Sequence, residues 1–176
     1  VLAKAGRLVL PGVGAFGDAA AALRKSGLDK AVLAAAEAGK PLLGICLGMQ
    51  LLLEKSFEYG EHKGLGLIPG EVRPIREVIP PGLKAPHIGW NALALTQEGR
   101  ACGLFKNTKE GDCVYFVHSY WAASPAPCVL ATAEYGAPLT AAVGRGNVLG
   151  VQFHPEKSGS AGLAILRAFC EMEVGG

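Results

Sequence analysis

The sequence has no excess of charge of either sign and no long apolar run. It carries 17 Lys and Arg against 15 Asp and Glu, for a net charge of +2, and these residues are mixed along the chain. Without a basic block, nothing favours nucleic acid or an anionic membrane surface as a partner. No apolar run approaches the roughly 18 residues of a membrane span. We therefore expect neither a nucleic-acid partner nor a membrane location.

Cysteine is present, but not in a pattern that builds disulfides or metal sites. The five cysteines are an odd number, lie far apart and include no Cys-x-x-Cys pair, which argues against a disulfide framework and against zinc. The sequence also lacks an initiator Met, and its first residues have no apolar core of signal-peptide length. These features favour a reducing, cytoplasmic setting with no metal and no cofactor. They also suggest a fragment, or a chain that has been processed or trimmed.

Length and patterning predict one α/β domain spanning residues 1–176. Of the 176 residues, 50% are hydrophobic and 18% are charged, which suits one well-buried core. Apolar runs alternate with helical stretches in the first part, which favours a parallel sheet with right-handed crossovers, whereas consecutive strands favour antiparallel pairing in the second part. The predicted strands cover residues 7–10, 41–46, 67–75, 85–92, 112–121, 128–135, 139–143 and 148–153. The predicted helices cover residues 17–39, 47–55 and 159–173. In the first of them Asp18 is the expected N-cap, and Gly27 is expected to break the helix in two. Residues 57–70 and 97–111 are predicted to be connections.

The most informative stretch is residues 42–53, which reads Leu-Leu-Gly-Ile-Cys-Leu-Gly-Met-Gln-Leu-Leu-Leu. Cys46 lies where the predicted strand meets the predicted helix, with Gly44 and Gly48 two residues to either side. This pattern is typical of a nucleophile elbow, in which glycines allow a sharp turn and the central side chain is exposed. A helix N-terminus also favours the thiolate. The alternative is a small buried cysteine beside glycines that let a helix pack on a strand.

A second glycine-rich turn follows the first predicted strand. In the run Pro-Gly-Val-Gly at residues 11–14, the two glycines leave backbone N–H groups free to point into open space, as an oxyanion hole requires. Gly12, Val13 and Gly14, together with the N–H of Leu47, are therefore candidates for binding a developing oxyanion. An ordinary strand-to-helix loop is an equal alternative for this turn.

The last predicted strand ends in Phe-His-Pro-Glu at residues 153–156. If the backbone stays extended there, His154 and Glu156 project to the same side, and Pro155 favours that extended state for His154. A carboxylate beside an imidazole fixes its tautomer and supports its cation, so His154 is a candidate base with Glu156 as its orienting group. The alternatives are two unrelated loop residues, or His118 as the base, although no acidic residue lies near His118 in the sequence.

A thiol nucleophile, a histidine paired with a carboxylate and a backbone oxyanion hole together predict acyl transfer through a thioester. Cys46 would attack an acyl carbon, and His154 would donate a proton to the leaving group and later activate water. This reasoning leaves an ester, a thioester, a peptide or an amide as the substrate.

Three motifs together resemble the class I glutamine amidotransferases. They are Pro-Gly-Val-Gly-Ala-Phe at 11–16, Gly-Ile-Cys-Leu-Gly-Met-Gln at 44–50 and Phe-His-Pro-Glu at 153–156. The resemblance implies a three-layer α/β fold with a mostly parallel central sheet flanked by helices and an additional antiparallel section. It also implies hydrolysis of glutamine to glutamate and ammonia by a triad of Cys46, His154 and Glu156. The implied residues of the glutamine pocket are Gln50, Ser119 and Tyr120.

Further segments at residues 86–91, 115–120 and 157–158 resemble the HisH branch of that family, the glutaminase subunits of imidazole glycerol phosphate synthase. The resemblance implies a heterodimer with a (β/α)₈-barrel cyclase subunit, HisF, which receives the ammonia to make imidazole glycerol phosphate and AICAR in histidine biosynthesis. It implies that the glutaminase is nearly silent until the partner binds its own ligand, and that an N-terminal strand and helix are missing here. The implied partner-facing residues are His87, Trp90, Asn91, Tyr115 and Lys157. The alternatives are another class I amidotransferase subunit and a catalytically inactive partner subunit.

Overall fold

The computed structural model describes residues 4–173, so the first and last residues of the predicted domain lie outside the described part. Within these residues the first strand lies at an edge of the central sheet, and the last element is a helix. In chain order the elements are β1 (Leu8–Leu10), α1 (Phe16–Ser26), α2 (Leu28–Glu37), β2 (Leu42–Ile45), α3 (Leu47–Leu51), β3 (Lys55–Ser56), β4 (His62–Lys63), β5 (Glu71–Pro74), β6 (His87–Ala92), β7 (Ala94–Leu95), α4 (Gln97–Ala101), β8 (Cys113–His118), β9 (Tyr120–Ala123), β10 (Val129–Glu134), β11 (Pro138–Arg145), β12 (Val148–Val151) and α5 (Gly159–Cys170).

In the described part of the chain, the central sheet has six strands in the order β1-β2-β12-β11-β10-β7. β2 pairs in parallel with β1 and with β12, whereas the three remaining pairings are antiparallel. The α/β class is confirmed, but the sheet is mixed rather than mostly parallel. For the β10–β11 and β11–β12 pairs the physical reason is the shortness of the turns at residues 135–137 and 146–147, because a parallel crossover needs a dozen or more residues.

The two faces of this sheet carry the two main parts of the core. Successive side chains of β2 point to opposite faces, so Leu42 packs with Phe16 and Met49 beneath α1, α2 and α3, while Leu43 packs with Phe153 on the α5 side. All of these side chains are fully buried. Burial of each such side chain contributes about 1.5–3 kcal/mol to stability. The predicted arrangement of helices on both faces of the sheet is therefore confirmed.

The predicted strand at residues 112–121 is two strands that belong to different sheets. β8 forms an antiparallel ribbon with β6, whereas β9 joins a second small sheet beside β5. The chain passes from one sheet to the other at Ser119, which lies between the two strands. This change of sheet matters for the site, because it brings Ser119 and the start of β9 to the carboxyl end of β2.

Other boundaries also differ from the sequence-based prediction. α1 begins after Ala15, and Asp18 lies inside its first turn rather than capping it. α3 ends at Leu51, and Lys55 does not continue the helix, because it lies in β3 and pairs with Glu71 of β5. The strand predicted at 67–75 is only Glu71–Pro74, and the predicted connections contain β4 and α4. The predicted break at Gly27 is confirmed by its left-handed φ of 73°.

Among residues 4–173, no helix has both the length and the apolar character needed to cross a bilayer.

Candidate active site

Cys46 lies at a strained turn between β2 and α3. Its φ of 55° and ψ of −113° are unusual for any residue other than glycine. The turn is held on both sides, because the Cys46 N–H donates to the Val151 carbonyl at 2.8 Å and the Cys46 carbonyl accepts from the Gln50 N–H at 3.2 Å. A side chain persists in such a conformation only where the surrounding structure enforces it.

The two flanking glycines are required by close backbone contacts. A Cβ on Gly48 would lie 1.7 Å from the Leu10 carbonyl oxygen, and a Cβ on Gly44 would lie 2.7 Å from the Gly48 carbonyl oxygen. No side chain fits at either position, since Cβ atoms do not approach backbone atoms so closely. The sequence-based prediction that side chains at these flanks would collide is confirmed.

Cys46 opens into a cavity of about 320 Å³ that also contains most of the predicted site residues. The size suits a small polar substrate. The lining residues are Val13, Gly14, Cys46, Leu47, Gln50, Glu58, Pro86, Val117, His118, Ser119, Tyr120 and His154. The cavity thus brings together the glycine-rich turn, the elbow, the crossing between β8 and β9, and the end of β12.

The glycine-rich turn forms one side of this cavity. Gly14 has a left-handed φ of 100°, and Val13 is 81% exposed, so this short segment presents its backbone rather than a buried side chain. Gly12 lies behind the cavity wall, where a Cβ would come within 3.2 Å of the Leu47 Cβ. The turn is therefore fitted directly against the start of α3.

His154 is buried beside the cavity and contacts Glu156. The His154 Nδ1 lies 2.7 Å from the Glu156 Oε1, while the His154 side chain is only 6% exposed and the Glu156 side chain is 48% exposed. The reason given for this contact in the sequence-based prediction was wrong, because the backbone does not stay extended. His154 is extended, but Pro155–Lys157 form a 3₁₀ turn that carries the carboxylate to the ring.

Ser158 fixes the backbone around His154 and was missed in the sequence. Its hydroxyl donates to the His154 carbonyl at 2.6 Å and accepts from the Tyr115 N–H at 2.9 Å. The His154 N–H in turn donates to the Tyr115 carbonyl at 3.0 Å. With Nδ1 engaged by Glu156, Nε2 is the ring nitrogen left for the cavity side.

Burial raises the pKa of the Cys46 thiol above its ordinary value, because a thiolate is poorly solvated inside the protein. The Leu47 N–H, the Gln152 amide and Lys157 oppose this effect, whereas Glu156 adds to it. The N–H at the start of α3 favours the thiolate, as the sequence predicted, but the opposing effect of desolvation is larger. The sulfur needs a base to remove its proton, and His154 lines the same cavity.

Two further polar residues at the cavity were not found from the sequence. Glu58 lines it, and its Oε2 accepts from the Phe16 N–H at 2.7 Å. Gln152 is completely buried, and its Nε2 lies 3.7 Å from the Cys46 Sγ. A glutamine inside an apolar strand run was a signal for Gln152, whereas nothing distinguished Glu58 in a stretch predicted to be a polar connection.

His118 and His87 form a buried polar network rather than a catalytic or partner-facing group. The His118 Nδ1 lies 2.7 Å from the Tyr120 carbonyl, and its Nε2 lies 3.0 Å from the His87 Nδ1. The His87 Nε2 lies 2.7 Å from the Asn91 Oδ1, and the Asn91 Nδ2 donates to the Glu134 carbonyl. Since His87 is 1% exposed, its predicted place on a partner-facing surface is wrong.

The other predicted partner-facing residues lie on or near the β6–β8 ribbon. Trp90 is 56% exposed and its ring centroid lies 6.0 Å from that of Tyr115. Ile88 is also exposed on the same strand, and Lys157 is exposed at the end of the 3₁₀ turn that carries Glu156. Asn91 is partly buried through its contact with His87. An exposed aromatic and aliphatic pair next to a cavity is the kind of surface that binds another protein.

The buried His118 predicts a loss of stability in acid. Burial lowers its pKa to about 4, from an ordinary value of 6.5. Between these values the unfolded chain binds a proton that the folded chain does not, so the free energy of unfolding falls as the pH drops from 6.5 to 4. The full effect is up to about 3 kcal/mol.

Urea unfolding at pH 7 and pH 4.5 measures this effect. We expect the pH-dependent loss to be smaller in His118→Gln than in the parent chain, and unchanged in the control His62→Gln, which lies in β4 outside the network. Equal acid losses in the parent chain and in His118→Gln would contradict the assignment.

No group of three or more His, Cys, Asp or Glu side chains within residues 4–173 is arranged to hold a metal ion.

Comparison with known proteins agrees with this fold. Residues 2–172 match the family model of the class I glutamine amidotransferases, and the chain belongs to that family. A solved structure of a glutamine amidotransferase superposes with a TM-score of 0.67 at 20% identity, covering 94% of this chain and 79% of that one.

Two relatives within the family share about half of their residues with this chain. It is 52% identical to the imidazole glycerol phosphate synthase subunit HisH of Lacticaseibacillus casei, over 98% of this chain and 80% of the relative. It is 51% identical to the same subunit of Wolinella succinogenes, over 94% of this chain and 80% of the relative. These identities assign the chain to the HisH branch.

Proposed function

We propose that this chain is a glutaminase that hydrolyses glutamine to glutamate and ammonia through a glutamyl thioester on Cys46. The observation that carries the proposal is the shared cavity of Cys46 and His154, with Glu156 hydrogen-bonded to the far side of the imidazole. Nucleophile, base and orienting group in this arrangement are those of covalent acyl transfer. Membership of the class I glutamine amidotransferases selects the carboxamide of glutamine as the acyl donor.

In the first half-reaction, His154 removes the proton from Cys46 and the sulfur attacks the carboxamide carbon. The carbonyl oxygen becomes an oxyanion, which the N–H groups of Leu47 and of the Gly12-to-Gly14 turn would stabilise. His154 then donates the proton to the nitrogen as the C–N bond breaks, and ammonia leaves. In the second half-reaction, water gives a proton to His154 and attacks the thioester, the C–S bond breaks, and glutamate leaves with the thiol restored.

The remaining cavity residues suit the amino-acid end of glutamine. Glu58 provides a carboxylate for the substrate ammonium group, and Gln50, Ser119 and Tyr120 provide polar groups around it. The Glu58 carboxylate also accepts the Phe16 N–H at the start of α1, which fixes its position. An amino-acid substrate needs such a charged partner because its own charges lose water on binding.

We further propose that the ammonia is delivered to a (β/α)₈-barrel cyclase subunit, HisF, for synthesis of imidazole glycerol phosphate and AICAR in histidine biosynthesis. The relatives that are 52% and 51% identical are named as subunits of imidazole glycerol phosphate synthase, which supports a partner subunit. The surface offered to it would include Trp90, Tyr115 and Lys157, with Asn91 at its edge. The five cysteines are all unpaired, which fits a reducing compartment such as the cytoplasm.

Glutamate release from glutamine tests this function directly. We expect little release from the chain alone and strong release when a HisF subunit and its nucleotide ligand are added. Circular dichroism of the same sample establishes whether the chain is folded. No release in either condition from a folded chain would contradict the proposal and favour an inactive partner subunit, whereas equal release with and without HisF would favour another type of amidotransferase.

A further inference from the structure

Gln152 occupies a position that the mechanism above does not use. It follows β12, its side chain is completely buried, and its backbone N–H donates to the Ala141 carbonyl at 2.8 Å. Its side chain reaches the nucleophile, with Nε2 at 3.7 Å from the Cys46 Sγ. A buried amide that fills space beside an apolar core is costly unless its polar groups are used. Its hydrogen bonds therefore indicate its role.

The orientation of the Gln152 amide is determined by a chain of hydrogen bonds that starts at a backbone carbonyl. The Tyr120 carbonyl can only accept, so the Gln50 amide must present its nitrogen, which lies 3.3 Å away. The same nitrogen lies 3.0 Å from the Gln152 Oε1 and donates its second hydrogen there. Gln152 is left with its NH₂ group facing the Cys46 sulfur. These linked hydrogen bonds therefore place a hydrogen-bond donor, rather than an acceptor, next to the Cys46 sulfur.

We propose that Gln152 is a positioning residue that donates a hydrogen bond to the Cys46 sulfur and stabilises its anionic form, and that Gln50 holds Gln152 in the orientation this requires. Hydrogen bonds to charged acceptors are stronger than those to neutral ones, so the contact gains strength when the thiol loses its proton. The contact would therefore offset part of the burial cost of the thiolate. The catalytic benefit of this contact rests on the proposed function, but its effect on the reactivity of the Cys46 sulfur can be measured without substrate.

The sulfur faces charged groups from other elements as well. Glu156 from the turn after β12 disfavours the anion, while Lys157 and the Leu47 N–H favour it. None of these groups depends on Gln152 for its orientation among the contacts described. A change at residue 152 should therefore alter one contribution and leave the others in place.

The test measures alkylation of Cys46 by iodoacetamide between pH 6 and pH 10, without glutamine, by mass spectrometry of the peptide that contains it. Gln152→Met keeps the length of the side chain but removes the donor, and Gln152→Glu keeps the shape but replaces the donor with an acceptor. We expect the midpoint of the pH profile to rise in Gln152→Met and to rise further in Gln152→Glu. At pH 8 the rate should fall by about tenfold in Gln152→Met, which corresponds to a loss of about 1.4 kcal/mol of stabilisation of the anion.

Cys113, which is exposed on β8, is the internal control, because its alkylation profile should not change in any variant. Gln97→Glu at the start of α4 is the matched control for the amide-to-carboxylate change. If both Gln152 variants fold and Cys46 keeps the parent profile, or if Gln152→Glu behaves like the parent chain, the proposal is overturned. A purely packing role would give that result.

Gln50→Met provides a second test if the Gln152 variants do not fold. It removes the donor that orients Gln152 while leaving Gln152 itself, so the Cys46 profile should again move to higher pH. An unchanged profile in this variant would overturn the proposed role of Gln50. Because the readout is the reactivity of the sulfur, a failure of this inference is distinguishable from a failure of glutamine hydrolysis, which is measured separately.

Discussion

Glutamine hydrolysis is expected to fall by at least about 10⁴-fold when Cys46 is replaced with alanine, as for the loss of other covalent nucleophiles. The substitution removes the only group at the elbow that could form the thioester, and no other cysteine lines the described cavity. The measurement is glutamate release in the presence of the HisF subunit and its ligand. Because alanine is smaller than cysteine and the β6–β8 ribbon proposed to face the partner lies elsewhere, binding to HisF should be retained.

Cys113→Ala is the matched control for this prediction. Cys113 is exposed and lies at the start of β8, so its loss should leave the rate near that of the parent chain. Substantial glutaminase activity in Cys46→Ala would refute the role of Cys46. Loss of HisF binding in the same variant would instead indicate that the substitution disturbs the fold.

The second large effect is expected at the base. His154→Ala should reduce kcat by about as much as Cys46→Ala, since the two residues act as a unit. The reduction in kcat in Glu156→Gln should be about 10²-fold smaller than in His154→Ala. The reason is that the base moves the proton in both half-reactions, while the carboxylate orients and stabilises the imidazole. Glutamate release by both variants under the same conditions measures the ordering.

His118→Ala separates the two candidate bases. Both ring nitrogens of His118 are occupied, by the Tyr120 carbonyl and by His87, so His118 has no free nitrogen for the thiol. Its loss should therefore reduce the rate less than the loss of His154, at a pH where the variant is shown to be folded. If His118→Ala proves as damaging as His154→Ala in a folded protein, the assignment of the base must be revised.

The elbow could be predicted from the sequence because its requirement is local. Gly44 and Gly48 must lack a side chain because the backbone of nearby residues and of β1 lies too close, and the Gly-x-Cys-x-Gly pattern shows both glycines directly. The contact between His154 and Glu156 could also be anticipated from a spacing of two residues, although the turn that makes it was not. Contacts between residues that are close in the chain can therefore be predicted from a local sequence pattern.

The remaining features depend on residues that are far apart in the chain. Gln50 and Gln152 meet across 102 positions, and Glu58 contacts the start of α1 across 42. The net rise in the pKa of Cys46 could not be predicted for the same reason, because the amount of protein packed around the sulfur is a property of the whole fold. The burial of His87 likewise depends on the pairing of β6 with β8. A glutamine in an apolar strand run marks Gln152 as unusual, but nothing local in the sequence identifies the partners in any of these contacts.

The network of His87 and His118 beside the cavity has fewer hydrogens than its contacts require. The contacts of the two rings with Tyr120, with each other and with Asn91 require three N–H hydrogens, whereas two neutral imidazoles supply two. Because burial lowers the pKa of both rings, the third hydrogen is absent at neutral pH. Turning the Asn91 amide satisfies His87 but leaves two oxygens facing each other at Glu134. At neutral pH one contact of this network therefore lacks a hydrogen, so the network contributes one hydrogen bond fewer than its short distances suggest.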